Sequence, residues 1–205
     1  MTENMRYLPK VNNTSDDDQY RVYGYTGTDP NNARSYGLSP EASNDYVPAG
    51  FAVYPNFGVL YNYRAAQAAV PAGWRIPTQA DYQKLQSYLE EELGKRMQGS
   101  NSAVVALLSD KTPSLGIDWD CYHLKNENLK KDHPEWGFSG FNLLPAGYYD
   151  EKFKHAGMRA YLWTQTVPES YDEQHKVMVI DDINDGFLFE TYHNSHFMSL
   201  RCIKN

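Results

Sequence analysis

The sequence has no long apolar run and little positive charge, and these two shortages exclude two classes of protein. The apolar stretch at 103–108 is far shorter than the about 20 residues needed to cross a bilayer. The 19 Lys and Arg residues are scattered and are outnumbered by 26 Asp and Glu residues, for a net charge of −7. Binding to a phosphate backbone needs a basic stripe. We therefore expect neither a membrane span nor a nucleic-acid partner in this chain.

Cysteine is also scarce. Cys121 and Cys202 either form a single disulfide or remain two buried thiols, and their spacing does not decide between the two. Residues 1–10 lack the apolar core of a secretion signal, so any signal has been removed or lies outside the sequence. With 205 residues, one domain buries roughly 70% of its unfolded surface. Its folding therefore requires no disulfide or metal.

Tyrosine, by contrast, is abundant: the chain has 17 Tyr residues against 8 Phe and 4 Trp. A tyrosine ring offers rigid contact area with one polar tip, which suits a binding surface. The same rings also fill β-rich cores and their rims. Composition alone therefore leaves both roles open.

The segment 71–85 predicts a turn followed by a capped helix. Pro77 blocks helix on its N-terminal side, Thr78 is a typical N-cap, and Asp81 can accept a hydrogen bond from the Thr78 amide as in a capping box. Apolar side chains then recur on one face, at Tyr82, Leu85, Leu89 and Leu93. Gly94 is a natural C-terminal stop. We predict a helix over 78–93.

Other segments predict short elements. The alanine-rich segment 61–70 predicts a helix, and 102–108 predicts a brief third helix. Residues 20–25 predict a strand, 26–47 loops around short strands, and 53–60 an irregular extended segment broken by proline and glycine. A long excursion follows at 111–134.

The last third of the chain predicts successive antiparallel strands. Its short apolar runs lie at 138–144, 161–166, 176–181, 187–192 and 197–203. The Asn184-Asp-Gly186 sequence between two of them predicts a hairpin turn. Helices followed by strands indicate an α+β fold, with two adjacent helices packed on a twisted, mainly antiparallel sheet. We expect a largely buried core from Trp74, Leu85, Leu89, Phe141, Leu143, Trp163 and Ile203.

Five ordered blocks give the sequence a family resemblance: 58–63, 71–78, 140–148, 161–164 and 200–204. Their sequences are GVLYNY, PAGWRIPT, GFNLLPAGY, YLWT and LRCIK, and the early segment TENMRYLP also fits. Together they resemble the Fibrobacter succinogenes major paralogous domain. The resemblance implies a single domain over 1–205 that lacks the family's first strand. It also implies a C-type-lectin-like fold, similar to that of formylglycine-generating enzymes, and export to the bacterial surface, often with an upstream lipid anchor.

One departure from the family pattern concerns the cysteines. The family commonly has Cys directly before its Pro-x-Gly-Trp block, positioned to pair with the Cys of the final strand. Val70 occupies that place here, so Cys202 has lost the partner that the resemblance implies. Cys121 can substitute only if the bridge geometry allows it.

Catalytic and metal-binding chemistry has little support in the sequence. The formylglycine-generating relatives hold copper with two cysteines, but their Asn-Val-Trp-Glu-Trp block is absent, and no Gly-x-Ser-x-Gly occurs. His193 and His196 lie three apart beside a predicted strand, so their side chains point to opposite faces. A calcium loop of the EF-hand type that began at Asp181 would need ligands where the chain has Ile183 and Tyr192. We expect no metal, no cofactor and no catalysis.

The function that we expect is that of a non-catalytic surface binding module for a glycan or for a host or bacterial surface protein. Tyr, His and Asn side chains near predicted strand ends are typical of adaptable binding surfaces. The predicted contacts are Tyr148, Tyr149, Tyr171, His175, Tyr192, His193, Asn194 and His196. Trp119 and Trp136 are the next candidates. An oxidative or metal-dependent enzyme of the formylglycine-generating type and a structural subunit of a surface polymer remain the alternatives.

Overall fold

The computed structural model describes residues 1–44, 46–96, 102–117, 135–169, 172–181 and 186–205. Within these ranges the α-helices are α1 (Pro30–Arg34), α2 (Val53–Phe57), α3 (Tyr63–Ala69), α4 (Gln79–Arg96) and α5 (Ala103–Leu107), with a 3-10 turn at Pro113–Leu115. The strands are β1 (Tyr20–Arg21), β2 (Leu60–Tyr61), β3 (Trp74–Arg75), β4 (Tyr148–Asp150), β5 (Lys152–Lys154), β6 (Ala160–Trp163), β7 (Gln174–Ile180), β8 (Leu188–His193), β9 (Met198–Ser199) and β10 (Ile203–Lys204).

The main sheet has six strands in the order β1-β2-β9-β6-β7-β8. Its pairings are antiparallel except for that of β6 with β9, where Leu162 lies opposite Ser199 in parallel. Two small antiparallel ribbons, β3 with β10 and β4 with β5, lie beside it. The chain is therefore a mixed α+β protein with a mainly antiparallel sheet, as the sequence predicts.

The hydrophobic core has two parts, one on each side of the central strands. In β6, Tyr161 and Trp163 pack into one part and Leu162 into the other, because successive side chains of a strand point to opposite faces. Leu89 and Leu93 of α4 cover the second part, together with the wholly buried helix α5. Strand β6 and most of β7 are buried on both faces, whereas β8 at the edge of the sheet is partly exposed.

The predicted helix after Pro77 is confirmed, including its cap. Asp81 Oδ2 accepts a 2.7 Å hydrogen bond from the Thr78 amide, and the Asp81 amide donates to Thr78 Oγ1 at 3.0 Å. The predicted stop at Gly94 is wrong, since α4 continues to Arg96. The Lys95 ammonium lies 2.6 Å from the Glu91 carboxylate one turn back, and this i,i+4 pair supports the extra residues.

The extended conformation predicted for 53–60 is wrong for 53–57, and the strand predicted at 138–144 is not found. Residues 53–57 form α2, because Pro55 lies in the first turn, where no intrahelical amide bond is needed, and Gly58 ends the helix at φ 77°. Residues 138–144 form no named strand. The backbone there turns at Gly140 (φ 65°) and Asn142 (φ 54°), which interrupts an extended conformation.

Two further elements were not predicted from the sequence. Helix α1 begins at Pro30, with the Asp29 side chain accepting from the Asn31 amide as an N-cap. The β4–β5 hairpin turns at Glu151, whose φ is 61°. A non-glycine residue in this conformation is uncommon, so the sequence carries no turn motif there.

The predicted core is correct for Leu89, Leu143 and Trp163, each at most 1% exposed. Trp74, Leu85 and Phe141 are only partly buried. Ile203 is 36% exposed, so its predicted burial is wrong. It lies in the short ribbon of β10 and β3, outside the main sheet.

Several predictions of the sequence fall wholly or partly outside the described residues. Trp119, Cys121 and the Asn184-Asp pair of the predicted turn lie there, although β7 and β8 on either side pair antiparallel. Cys202 is a buried free thiol. None of the described helices is long and apolar enough to cross a membrane.

Candidate functional site

A polar cleft of about 610 Å³ opens at the end of the sheet where β7 begins and β8 ends. The first turn of α3 forms one wall, the loop 14–19 a second, and the residues flanking β7 and β8 a third. The residues around it are Thr14, Ser15, Asp16, Asp17, Gln19, Asn62, Tyr63, Arg64, Gln67, Glu173, His193, Asn194 and Ser195. Two of the predicted contacts, His193 and Asn194, thus line this cleft.

Asn62 joins two walls of the cleft. As the N-cap of α3, its Oδ1 accepts from the Ala65 amide at 3.0 Å, and it also accepts from the Gln19 amide at 3.0 Å. Its Nδ2 donates to the Asp17 carbonyl at 2.7 Å. The loop 14–19 is therefore tied to the helix, and the shape of the cleft is set before any ligand arrives.

Asn194 is fixed on the opposite wall by three hydrogen bonds. Its amide donates to the Glu173 carbonyl at 2.9 Å, its carbonyl accepts from the Tyr63 amide at 2.9 Å, and its Oδ1 lies 2.7 Å from His175 Nδ1. No acceptor for the Asn194 Nδ2 group lies in the part of the chain that the structure describes. This NH₂ group is thus a positioned donor at the cleft wall.

His175 lies behind this wall and is 8% exposed. Its ring stacks on the Tyr63 ring, with centroids 3.4 Å apart. Burial lowers the pKa of His175, against a smaller opposing effect of the hydrogen bond with Asn194. The imidazole is therefore neutral near pH 7, and Nδ1–H donates to Asn194 Oδ1.

His193 is exposed at the cleft and is held from both ring nitrogens. Nδ1 lies 2.7 Å from Ser195 Oγ, and Nε2 lies 3.1 Å from a carboxylate oxygen of Glu173. These bonds fix the ring plane at the surface.

Acidic groups outnumber basic groups around the cleft. Asp17 pairs with Arg64 at 3.0 Å on the exposed surface, and Asp16 pairs with Lys10 at 2.6 Å. The cleft lining thus contains three carboxylates, those of Asp16, Asp17 and Glu173, and one guanidinium, that of Arg64. Lys10 is not part of the lining. The local potential therefore disfavours an anionic ligand.

Three of the other predicted contacts, Tyr148, Tyr192 and His196, form an aromatic cluster away from the cleft lining. Tyr148 is 7% exposed, and its ring lies 5.7 Å from the Tyr192 ring and 6.4 Å from the His196 ring. The Tyr192 hydroxyl donates to Glu190 at 2.7 Å. Burial lowers the pKa of His196, so this partly buried imidazole is also mainly neutral near pH 7.

Tyr149 lies on the far side of the β4–β5 hairpin. The Arg21 guanidinium lies 3.8 Å from its ring centroid and 4.6 Å from that of Phe197, which makes a cation–π stack. Tyr171 lies outside the described residues, while Trp136 is buried at 7% exposure. The structure thus brings two of the predicted contacts to a polar cleft and three to an aromatic cluster, and it places Tyr149 apart from both.

Sequence reasoning missed most of the cleft: Asp16, Asp17, Asn62, Arg64, Gln67 and Glu173 were not among the predicted contacts. One clue was available, because an Asn directly before an alanine-rich helix is a typical N-cap. The contact between residues near 15 and residues near 194 follows from the tertiary fold, and no local pattern encodes it. Among the described residues, no three His, Cys, Asp or Glu side chains converge as metal ligands.

The family model of the Fibrobacter succinogenes major domain matches residues 1–204, nearly the whole chain. No curated protein and no solved structure matches the sequence.

Proposed function

We propose that this chain, which belongs to the Fibrobacter succinogenes major domain family, is a non-catalytic binding module that holds a neutral glycan in the cleft beside Asn194. Its supporting scaffold, we infer, is a C-type-lectin-like variant of the α+β fold, displayed on the surface of an exporting bacterium. The proposal extends the resemblance noted in the sequence with a site built from this chain's own residues.

The positioned amide of Asn194 carries the proposal. Three hydrogen bonds hold the residue, while its Nδ2 group has no acceptor in the described chain. The Nδ2 group is open to the cleft and is not one of the buried polar atoms without a partner, so its N–H groups are accessible to a ligand that supplies an acceptor. A sugar hydroxyl can accept a hydrogen bond from Asn194 Nδ2 and donate one in turn, and the nearby Glu173 and Asp17 carboxylates can accept the bond that it donates.

The charge balance narrows the glycan class. Three carboxylates and one guanidinium line the cleft, so a sugar acid would meet net repulsion. A neutral sugar carries only dipoles and avoids this cost. Hydrogen bonding dominates this mode of recognition, because the Tyr63 ring at the cleft is already covered by His175.

A glycan array tests the proposal. Wild-type protein should bind neutral structures and not their sialylated or uronic-acid counterparts. The Asn194→Ala variant should lose this binding, whereas Asn32→Ala, a change at an exposed asparagine of α1 outside the cleft, should keep it. Preferential binding to acidic glycans, or unchanged binding by Asn194→Ala, would overturn the proposal.

Export to the cell surface is the second part of the proposal. The family resemblance supports it, and the amino-acid sequence upstream of Met1 tests it. A signal peptide that ends in a lipid-modified cysteine is the expected result. A translation start at Met1 in a protein that fractionates with the cytoplasm would contradict it.

A further inference from the structure

A second, mainly apolar pocket of about 220 Å³ lies between helix α4, the segment around Phe141 and the last strand. We call it the Arg201 pocket. Its lining is mainly apolar, and Tyr82 and Arg201 supply the polar groups on which the inference depends. The residues around it are Met1, Pro77, Asp81, Tyr82, Leu85, Phe141, Arg201, Cys202 and Ile203. It shares no lining residue with the cleft beside Asn194.

Arg201 is the least expected feature of this pocket, because the side chain is 2% exposed. Nε donates to Asn4 Oδ1 at 2.7 Å, Nη2 donates to the Asn142 carbonyl at 3.0 Å, and Nη1 donates to the Phe141 carbonyl. The Phe141 ring also covers the guanidinium, with its centroid 4.2 Å from Cζ. A guanidinium has five N–H groups, so two remain beyond these three bonds.

The positive charge of Arg201 has no carboxylate partner. Across the described ranges, no Asp or Glu oxygen lies within ion-pair distance of the guanidinium, and all three of its acceptors are uncharged. Burial lowers the pKa of Arg201 to about 10. Glu3 acts on the guanidinium from beyond ion-pair distance and is itself paired with Arg6. A buried charge without a directly paired carboxylate is costly, so an anion that reached this pocket would relieve the cost.

Tyr82 is a second polar group at this pocket that lacks a full set of hydrogen-bond partners. It is 3% exposed on α4, and its hydroxyl has no hydrogen-bond partner among the described residues. Leaving a buried hydroxyl unpaired lowers stability, so a ligand that supplies an acceptor is favoured. The two groups without full partners, one cationic and one a neutral donor, thus line the same apolar pocket.

One carboxylate at the pocket is already neutralised. Asp81 accepts from both terminal nitrogens of Arg75, at 2.5 and 2.9 Å, and from the Thr78 amide and hydroxyl, each at 2.7 Å. Since these bonds serve the cap of α4, Asp81 belongs to a local ion pair and leaves the charge of Arg201 unbalanced.

We propose that the Arg201 pocket binds a small carboxylic acid with an apolar body. Its carboxylate accepts from the free N–H groups of Arg201 and from the Tyr82 hydroxyl, and its apolar part packs against Leu85, Phe141 and Ile203. Charge-assisted bonds from a guanidinium to a carboxylate are among the strong hydrogen bonds of proteins. Few convergent polar groups in an apolar pocket are also typical of small-molecule sites.

Calorimetric titration with hexanoate and hexanamide tests the carboxylate requirement. The two probes share the apolar chain and differ in charge, so hexanoate should bind at least about tenfold more tightly. Equal binding of the two probes, or no binding of hexanoate at millimolar concentration, would overturn the proposal.

Two variant pairs locate the site without removing Arg201, whose loss would leave three acceptors unpaired. Tyr82→Phe deletes the hydroxyl and should weaken hexanoate binding about five- to tenfold without lowering stability, while Tyr88→Phe, an exposed change on the same helix, should change neither. Ile203→Glu places a negative charge at the exposed edge of the pocket and should weaken binding, whereas Ile203→Gln should not. Hexanoate affinity that is the same in Tyr82→Phe and in both Ile203 variants would place the ligand elsewhere and overturn the proposal.

Discussion

His175 Nδ1 lies 2.7 Å from Asn194 Oδ1, and this bond joins a buried imidazole to the wall of the cleft. The Tyr63 ring holds the imidazole from one face, and the Tyr63 amide holds the Asn194 carbonyl at 2.9 Å. Three residues that lie far apart in sequence therefore fix one side-chain amide. This arrangement gives the cleft a donor whose position does not depend on the ligand.

The first prediction concerns this positioning bond. His175→Phe keeps a ring on Tyr63 but removes the hydrogen bond to Asn194, so the amide can rotate. We expect the Kd for a neutral glycan to rise about three- to tenfold while the melting temperature falls only modestly. Calorimetric titration measures the first quantity and thermal unfolding the second. Unchanged affinity would show that His175 contributes only to packing of the core and does not position the Asn194 side chain for the ligand.

The second prediction concerns pH. Burial holds the folded-state pKa of His175 below its ordinary value of 6.5. Between these two pKa values the unfolded chain binds more protons than the folded chain, so the free energy of unfolding falls as pH drops below about 6.5. Above that pH this contribution is constant. Urea unfolding at pH 7.5, 6.5 and 5.5 should show the decline.

The control for the pH prediction is the His175→Phe variant, which lacks the group. It should lose less stability than the wild type over the same pH range, with the remaining loss arising partly from His196, whose pKa is also lowered by burial. Identical slopes for the two proteins would show that His175 does not contribute.

The third prediction tests the second part of the core. Leu89 is 1% exposed on α4, so Leu89→Ala should cost roughly 2–5 kcal/mol of unfolding free energy. The neighbouring Tyr88 is 57% exposed, and Tyr88→Ala should cost less than about 0.5 kcal/mol. Comparable losses in the two variants would contradict the orientation of α4.

The fourth prediction tests the cap of α4. Asp81→Ala removes the acceptor for the Thr78 amide and for the Arg75 guanidinium, and should cost about 1–2 kcal/mol. Gln83→Ala, an exposed change two residues further along the same helix, should have little effect. Equal denaturation midpoints for Asp81→Ala and the wild type would show that the cap bonds contribute no net stability.

The cap of α4 shows what the sequence alone could predict. Thr78 and Asp81 interact within one turn, so their pattern is local and the helix start followed from it. Segment 53–57 shows the opposite case, since Pro55 and Gly58 suit either a broken strand or the first turn and stop of a short helix. Only the packing of Val53 and Phe57 into the core selects the helix.

The residues of the candidate site also fall into those that a local sequence pattern predicts and those that only the tertiary fold brings together. His193 and Asn194 were found because polar residues at a strand end are visible in the sequence. Asp17 and Arg64 were missed because they reach the cleft through the bond between Asn62 and Gln19, a contact of distant segments. Tyr148 was expected as a contact on the same grounds as His193, yet its hairpin places it at 7% exposure within a cluster of rings.

A chemical-shift titration of nitrogen-15-labelled protein with the neutral glycan that binds best on the array shows directly whether Asn194 contacts the ligand. We expect the largest shifts at the Asn194 side-chain NH₂ group and at the backbone amides of Arg64 and Ser195. We also expect these shifts to saturate together with a single Kd. Saturating shifts confined to the β4–β5 hairpin around Tyr149, with Asn194 unmoved, would contradict the proposed site.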